Sequence, residues 1–402
     1  MRSYPMRTAL PAKVVAIVTL FSLLLLFQCV TAQISDRSRR SYKDGSKTRL
    51  TQVTRNGLYG FIDETGRVII PITYADAGDP SEGLIRVKNG DKWGFLNYRG
   101  QVVVPFKYDC ADDFSEGLAR VVAGKKYGYI NKAGMLAIPA KFAVPGNNED
   151  WAMVRRFSEG VAPVLIAHKY GYIDKTGAVV ISPRYESAEP FSEGLALISQ
   201  GRSDKARFGF IDRSGRTVIA SKFVAASSFS GGLAAAARNI DKAWKYGYIN
   251  KAGRFVIHPQ FVDALPFSEG WGAVSYSQEA ILKEKRSGQE YACSCRNQQE
   301  APQDRPPTFE VQSHPNAIIK FIDSRGRPMK GPQTRDIGQF AEGLAPVGEG
   351  GEWGYVNRSG QVVIEPRFRD AECFRNGLAK VTLDGGTTAF INHKGEVVWA
   401  DE

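Results

Sequence analysis

One pattern leaves few folds open to this 402-residue chain: an aromatic residue, Gly, a second aromatic, an aliphatic residue and Asx, then two residues and another Gly. Well-formed copies begin at Tyr59, Trp93, Tyr127, Tyr170, Phe208, Tyr246 and Trp353, and worn copies begin at Ile319 and Thr388, where Lys320 and Ala389 replace the first Gly. The basal spacing, as from Gly60 to Gly94, is 34 residues, and insertions stretch it elsewhere. A repeat of this length means like supersecondary units, each burying its apolar face against its neighbours.

Each unit reads as three strands. Tyr170-Gly171-Tyr172-Ile173 is short, aromatic and alternating, the mark of a strand, and Ala178-Val179-Val180-Ile181 follows as a second. Between them Asp174-Lys175-Thr176-Gly177 supplies the Asx that opens a type I turn and the Gly that takes positive φ. A Pro-aromatic stretch then leads to Phe191-Ser192-Glu193-Gly194-Leu195, which opens a third apolar run. Antiparallel neighbours need only short links, so the unit starts at the Ser-Glu-Gly-Leu strand and runs through the next hairpin.

These coupled motifs resemble the WG-repeat (KWG) family over about residues 50–399. The resemblance implies a bacterial β-repeat, frequent on exported proteins, with no catalytic residues to carry over. Departures fall at Lys320, Ala389 and Arg375-Asn376-Gly377, which predicts that the seventh and ninth units are irregular or serve as a cap. The expected fold is all-β, nine three-stranded antiparallel units in an open curved solenoid. A closed, propeller-like ring is the alternative, set second because propellers usually have four to eight four-stranded blades.

Residues 1–32 read as a signal peptide, with Arg2, Arg7 and Lys13 before the apolar run Val14–Phe27 and small residues at Val30-Thr31-Ala32. That run is short for a membrane span. The expected destination is periplasmic or extracellular, with an uncleaved anchor as the alternative. Residues 33–49 form a basic flexible leader.

The formal charge of +11 collects on the hairpin tips, at Lys132, Lys175, Arg213, Arg216, Lys251 and Arg254 among others. Stacked units would align these into a ridge suited to a polyanion or glycan, although solvated tips also carry charge simply to resist aggregation. The first aromatic of each copy is expected in the core between units, with small residues such as Ala77, Ala111 and Ala188 at narrow points. The recurrent Glu82, Glu116, Glu159, Glu193, Glu269 and Glu342 are expected to pair with Lys92, Lys126, Lys169, Arg207 and Lys245.

Catalysis needs a singular constellation, and the sequence offers none. The four histidines lack ligand spacing, and there is no zinc-protease, nucleophile-elbow, phosphate-loop or EF-hand signature. No catalytic residue, metal or cofactor is assigned. Cys293 and Cys295 are candidates for a local disulfide or redox pair. Function in repeat arrays sits where units differ, which directs attention to Pro145–Trp151, with Trp151 as a binding candidate, and to the polar insertion at 277–316. The expectation is an exported, non-enzymatic scaffold that binds a protein or envelope polymer, with polyanion or glycan binding through the basic tips and an enzyme sited at an insertion as the alternatives.

Overall fold

The computed structural model describes residues 49–143, 156–201, 205–241, 243–276, 319–331 and 336–401. Among these, regular structure is β throughout, arranged as nine small antiparallel sheets. The sheets follow one another around a ring, so the fold is a nine-bladed propeller. Blades 1 to 9 span Thr51–Tyr74, Asp76–Tyr108, Cys110–Ala143, Val161–Tyr185, Ser187–Phe223, Ala225–Phe261, Asp263–Ile322, Asp336–Phe368 and Asp370–Ala400. The closed ring, and not the open solenoid, is what the chain forms.

Closure is visible where the last blade meets the first. Val53 and Ile62 of blade 1 share one apolar cluster with Leu378, Phe390 and Trp399 of blade 9. Arg55 Nε lies 3.0 Å from the Asp401 carboxylate, and Asn376 Nδ2 donates to Leu50 O at 2.9 Å. The turn glycine of blade 1, Gly66, lies so close to the Val398 carbonyl that a Cβ would collide with it.

A typical blade has a leading strand, an aromatic strand and an edge strand, here Val161–Ile166, Lys169–Asp174 and Val179–Tyr185 in blade 4. Six of the nine sheets add a fourth, two-residue strand such as Asp76–Ala77, which runs from the preceding edge strand across to the new blade. The three-strand expectation thus omitted a short pairing. It is too brief for a hydropathy pattern, and its small buried alanines, such as Ala77 and Ala188, are its only trace.

The glycine of the aromatic strand exists because the edge strand bulges over it. In blade 4 the register passes from Tyr172↔Ile181 to Tyr170↔Tyr185, leaving extra residues on the edge strand. A Cβ on Gly171 would come within 2.5 Å of Ile181 O. In blade 9, where Ala389 replaces Gly, the pairing Ala389↔Ala400 and Phe390↔Trp399 runs without that bulge. In blade 7, where Lys320 replaces Gly, the sheet ends at the aromatic strand Ile319–Ile322.

Junctions between blades are also repeated. The second aromatic of one blade meets the Phe of the next in edge-on or tilted contact, as in Tyr172–Phe191, Phe210–Phe229 and Tyr248–Phe267 with centroids 5.1, 4.8 and 4.7 Å apart. These geometries add to the large apolar area the rings bury. Four of the seven well-formed first aromatics, Trp93, Tyr127, Tyr170 and Trp353, are buried within their blades, and Tyr59, Phe208 and Tyr246 are half-buried.

Candidate functional site

Register assigns the ring two unlike faces. Leading and aromatic strands pair from Leu84↔Asn97 at one end to Asn89↔Lys92 at the other. The first end carries the Ser-Glu-Gly turns and the Asx-x-x-Gly tips, and the second carries the hairpins that join leading to aromatic strands.

On the tip face each turn is held by its own Asx. Asp174 Oδ1 accepts the N–H of Thr176 and Ala178 at 2.9 and 3.1 Å, Gly177 N–H donates to Asp174 O at 2.9 Å, and Gly177 sits at φ +83°. In the equivalent turn, the Ser214 hydroxyl, followed by the Arg216 and Ser214 amides and the Arg216 side chain, holds the Asp212 carboxyl down to about 2 against its partial desolvation.

The basic tips do not stand alone. Lys132 Nζ lies 3.1 Å from the Glu82 carboxylate, Lys175 3.1 Å from Glu116, Lys251 3.2 Å from Glu193, and Arg358 2.7 Å from Glu269. Arg213 Nη2 approaches Gly160 in the matching place, Arg216 pairs with Asp212 at 2.9 Å, and Arg254 is exposed. Glu82, Glu116, Glu193 and Glu269 therefore meet the tip of the following blade instead of Lys92 or Lys169, which pair with Asp109 and Glu186. The same carboxylates accept the next Gly N–H, as Gly160 donates to Glu116 at 2.9 Å. Sequence could not find this partner, because residues fifty to ninety positions apart meet only once the blades are stacked.

The other face holds the departures from repetition. The insertion of blade 7 leaves from the pair Ser275↔Ile319, and the long linker after blade 3 leaves beyond Ala143, whose partner is Lys126. Both exits lie at the same end of their sheets. Trp151, Cys293 and Cys295 lie outside the described residues.

Beside the blade 7 exit, the hairpin of blade 6 runs two residue pairs farther than that of blade 2, to Ile240↔Ala243. At the usual strand rise it projects about 7 Å beyond its equivalents. It carries Ile240 and Trp244, which are 37 % and 57 % exposed, and Trp244 is the one exposed tryptophan among the described residues. Alternation puts Trp244 on the same side of its strand as Tyr246 and Tyr248, the side packed toward blade 7. Tyr246 is registered with Phe261, against whose ring Tyr276 stands edge-on at 5.1 Å. Lys320 Nζ sits 5.9 Å from the Tyr276 ring. Burial pushes the phenols of Tyr246 and Tyr276 up, and Asp263 adds to the effect at Tyr246, so both remain neutral hydrogen-bonding groups at ordinary pH. Sequence reasoning did not single out Trp244; its signal was the lengthened 38-residue interval from Gly209 to Gly247.

This junction offers flat apolar surface with polar edges and a neighbouring cation, a composition suited to binding. Among the described residues, no group of three or more His, Cys, Asp or Glu side chains is arranged to hold a metal ion.

The WG containing repeat model matches residues 59–93, 93–127, 127–167, 170–202, 208–239, 246–277 and 353–386, more than half of the chain. The chain therefore belongs to the WG containing repeat family. No curated protein matches it. Among solved structures it is similar to BamB from Moraxella catarrhalis, at 12 % identity and a TM-score of 0.38, covering 86 % of this chain and 92 % of that one. It is similar also to the tricorn protease, at 10 % identity and a TM-score of 0.26, covering 87 % of this chain and 46 % of the other.

Proposed function

We propose that this protein is an exported, non-enzymatic scaffold that binds other macromolecules of the cell envelope or exterior. The exposed Trp244–Tyr276 junction carries the reading, because large aromatics left in solvent on a projecting hairpin are the usual anchors of protein interfaces. Its place beside the exit of the blade 7 insertion, on the face from which the linker after blade 3 also leaves, adds weight, since repeat proteins put recognition where their units differ. The tip face supports a polyanion less well, its lysines being answered by glutamates of the preceding blade. Export rests on the charge and apolar pattern of residues 1–32.

Two measurements test this. The full chain used as bait in an envelope extract should capture a partner that Trp244→Ala loses, while neutralising Lys132, Lys175 and Lys251 together leaves capture intact. Equal capture by wild type and Trp244→Ala overturns the assignment of the surface. N-terminal sequencing of the cell-derived protein should begin near Gln33; a retained Met1 overturns cleavage.

A further inference from the structure

An edge strand presents unpaired main-chain donors and acceptors that invite another strand, and proline is one device that closes such an edge. Six blades have a proline in their edge strand: Pro71, Pro105, Pro139, Pro183, Pro259 and Pro366. Blade 5 is the exception among the bulged blades. Its edge strand, Thr217–Phe223, has Ser221 at the site where blades 4, 6 and 8 have Pro183, Pro259 and Pro366. The equivalence is structural: each of these four nitrogens lies 2.7 or 2.8 Å from the Cβ that the facing Gly would carry.

The blade 5 register passes from Phe210↔Ile219 to Phe208↔Phe223, so residues 220–222 have no register partner on the aromatic strand. The sheet ends at this strand, and Thr217, Val218, Ala220 and Lys222 are exposed along it. Its flanks are basic. The Arg216 side chain is 82 % exposed and pairs only with Asp212 of its own turn in that ion pair, and residues 216–222 include no acid.

We propose that the edge strand of blade 5 accepts an extended segment of a partner protein as an added antiparallel strand, with acidic side chains near both ends of that segment. The inference rests on reading the ring as a binding scaffold. Main-chain hydrogen bonds supply affinity in such strand addition, and alternate side chains supply specificity. A second copy of this chain is the poorer occupant. Antiparallel self-pairing centred on Ile219 puts Arg216 opposite Lys222 at both ends, and like charges directly opposed destabilise a strand pair. An acidic segment turns the same two positions into attractions.

The test uses the full chain and a capped seven-residue peptide alternating threonine and valine with glutamate at both ends, beside its lysine-ended twin. The glutamate-ended peptide should bind at least about tenfold more tightly than the twin. Ser221→Pro should weaken it by about tenfold or more without lowering the melting temperature, because blades 4, 6 and 8 already accept proline there. The double variant Arg216→Glu, Lys222→Glu should reverse the preference, and it decides the matter if Ser221→Pro proves unstable. No preference in the wild type, or unchanged glutamate-ended binding in both variants, overturns the proposal. A homodimer that Ser221→Pro dissolves overturns the choice of occupant. Failure here with capture through Trp244 intact refutes the edge alone and leaves the scaffold standing.

Discussion

The interior junctions of the ring and the junction that closes it solve the same packing problem with different residues. In blades 2 to 7 a serine hydroxyl donates to a Phe carbonyl of the next blade, as Ser115 does to Phe157 at 2.7 Å and Ser192 to Phe229 at 2.7 Å. A left-handed Glu beside it, such as Glu116 at φ 52°, reaches the next blade's Gly and tip. At the close, Arg375 and Asn376 occupy those places. Arg375 pairs with Asp79 of blade 2, and Asn376, at φ 56°, keeps the backbone conformation while its amide reaches Leu50. What looks in sequence like decay of the motif is the ninth blade's adaptation to a first blade that begins at its leading strand among the described residues.

The contrast breaks most readily at the closing cluster. Trp399, 8 % exposed between Phe390 and the apolar residues of blade 1, should cost about 3–5 kcal/mol on truncation to Ala, read by urea unfolding. A loss below about 1 kcal/mol would show that the closing junction is held elsewhere.

Next comes the bulge. Gly171→Ala drives a methyl into Ile181 O and should cost about 1–3 kcal/mol by overpacking. Ala389→Gly, in the blade without that bulge, should cost about 1–2 kcal/mol, from chain entropy and the loss of one buried methyl rather than from overpacking. Unaltered stability of Gly171→Ala would mean that the edge-strand bulge does not dictate glycine.

The turn tips rank close behind. Gly177→Val combines φ +83° with a Cβ 2.8 Å from Ile138 Cγ2 of the preceding blade, so about 1–3 kcal/mol should be lost. An unchanged melting temperature would remove this tip from the junction.

The smallest effect is electrostatic. Desolvation raises the Glu116 carboxyl, but hydrogen bonds from Lys175 and from the Gly160 amide outweigh it and set the group below its ordinary value. A depressed carboxyl stabilises the fold above its unfolded value, about 4.3, and the contribution disappears as pH falls through the folded value. Because both partners are part-exposed, Glu116→Gln should cost under about 1 kcal/mol at neutral pH. Its stability should also fall less steeply below about pH 4 than that of the wild type. Matching slopes would show that this carboxylate does not link the blades.

The turn chemistry and the glycines were legible because each is a local demand: Asp174 must bond its own turn, and Gly177 must adopt positive φ. The partners of Glu82 and Glu116 were not legible, since a carboxylate at a fixed offset has several lysines at similar sequence distance and only stacking selects one. Nor was the reach of Trp244, which depends on how far the hairpin of blade 6 projects past its neighbours.

Sequence by itself determined the unit, its nine-fold repetition and its antiparallel strands, because hydrogen-bonded turns and alternating faces are properties of a few adjacent residues. Tertiary structure alone decided that the array closes. Closure depends on the rotation from each sheet to the next, set by contacts such as Tyr172–Phe191 and accumulated over nine junctions, and no repeat contains that sum.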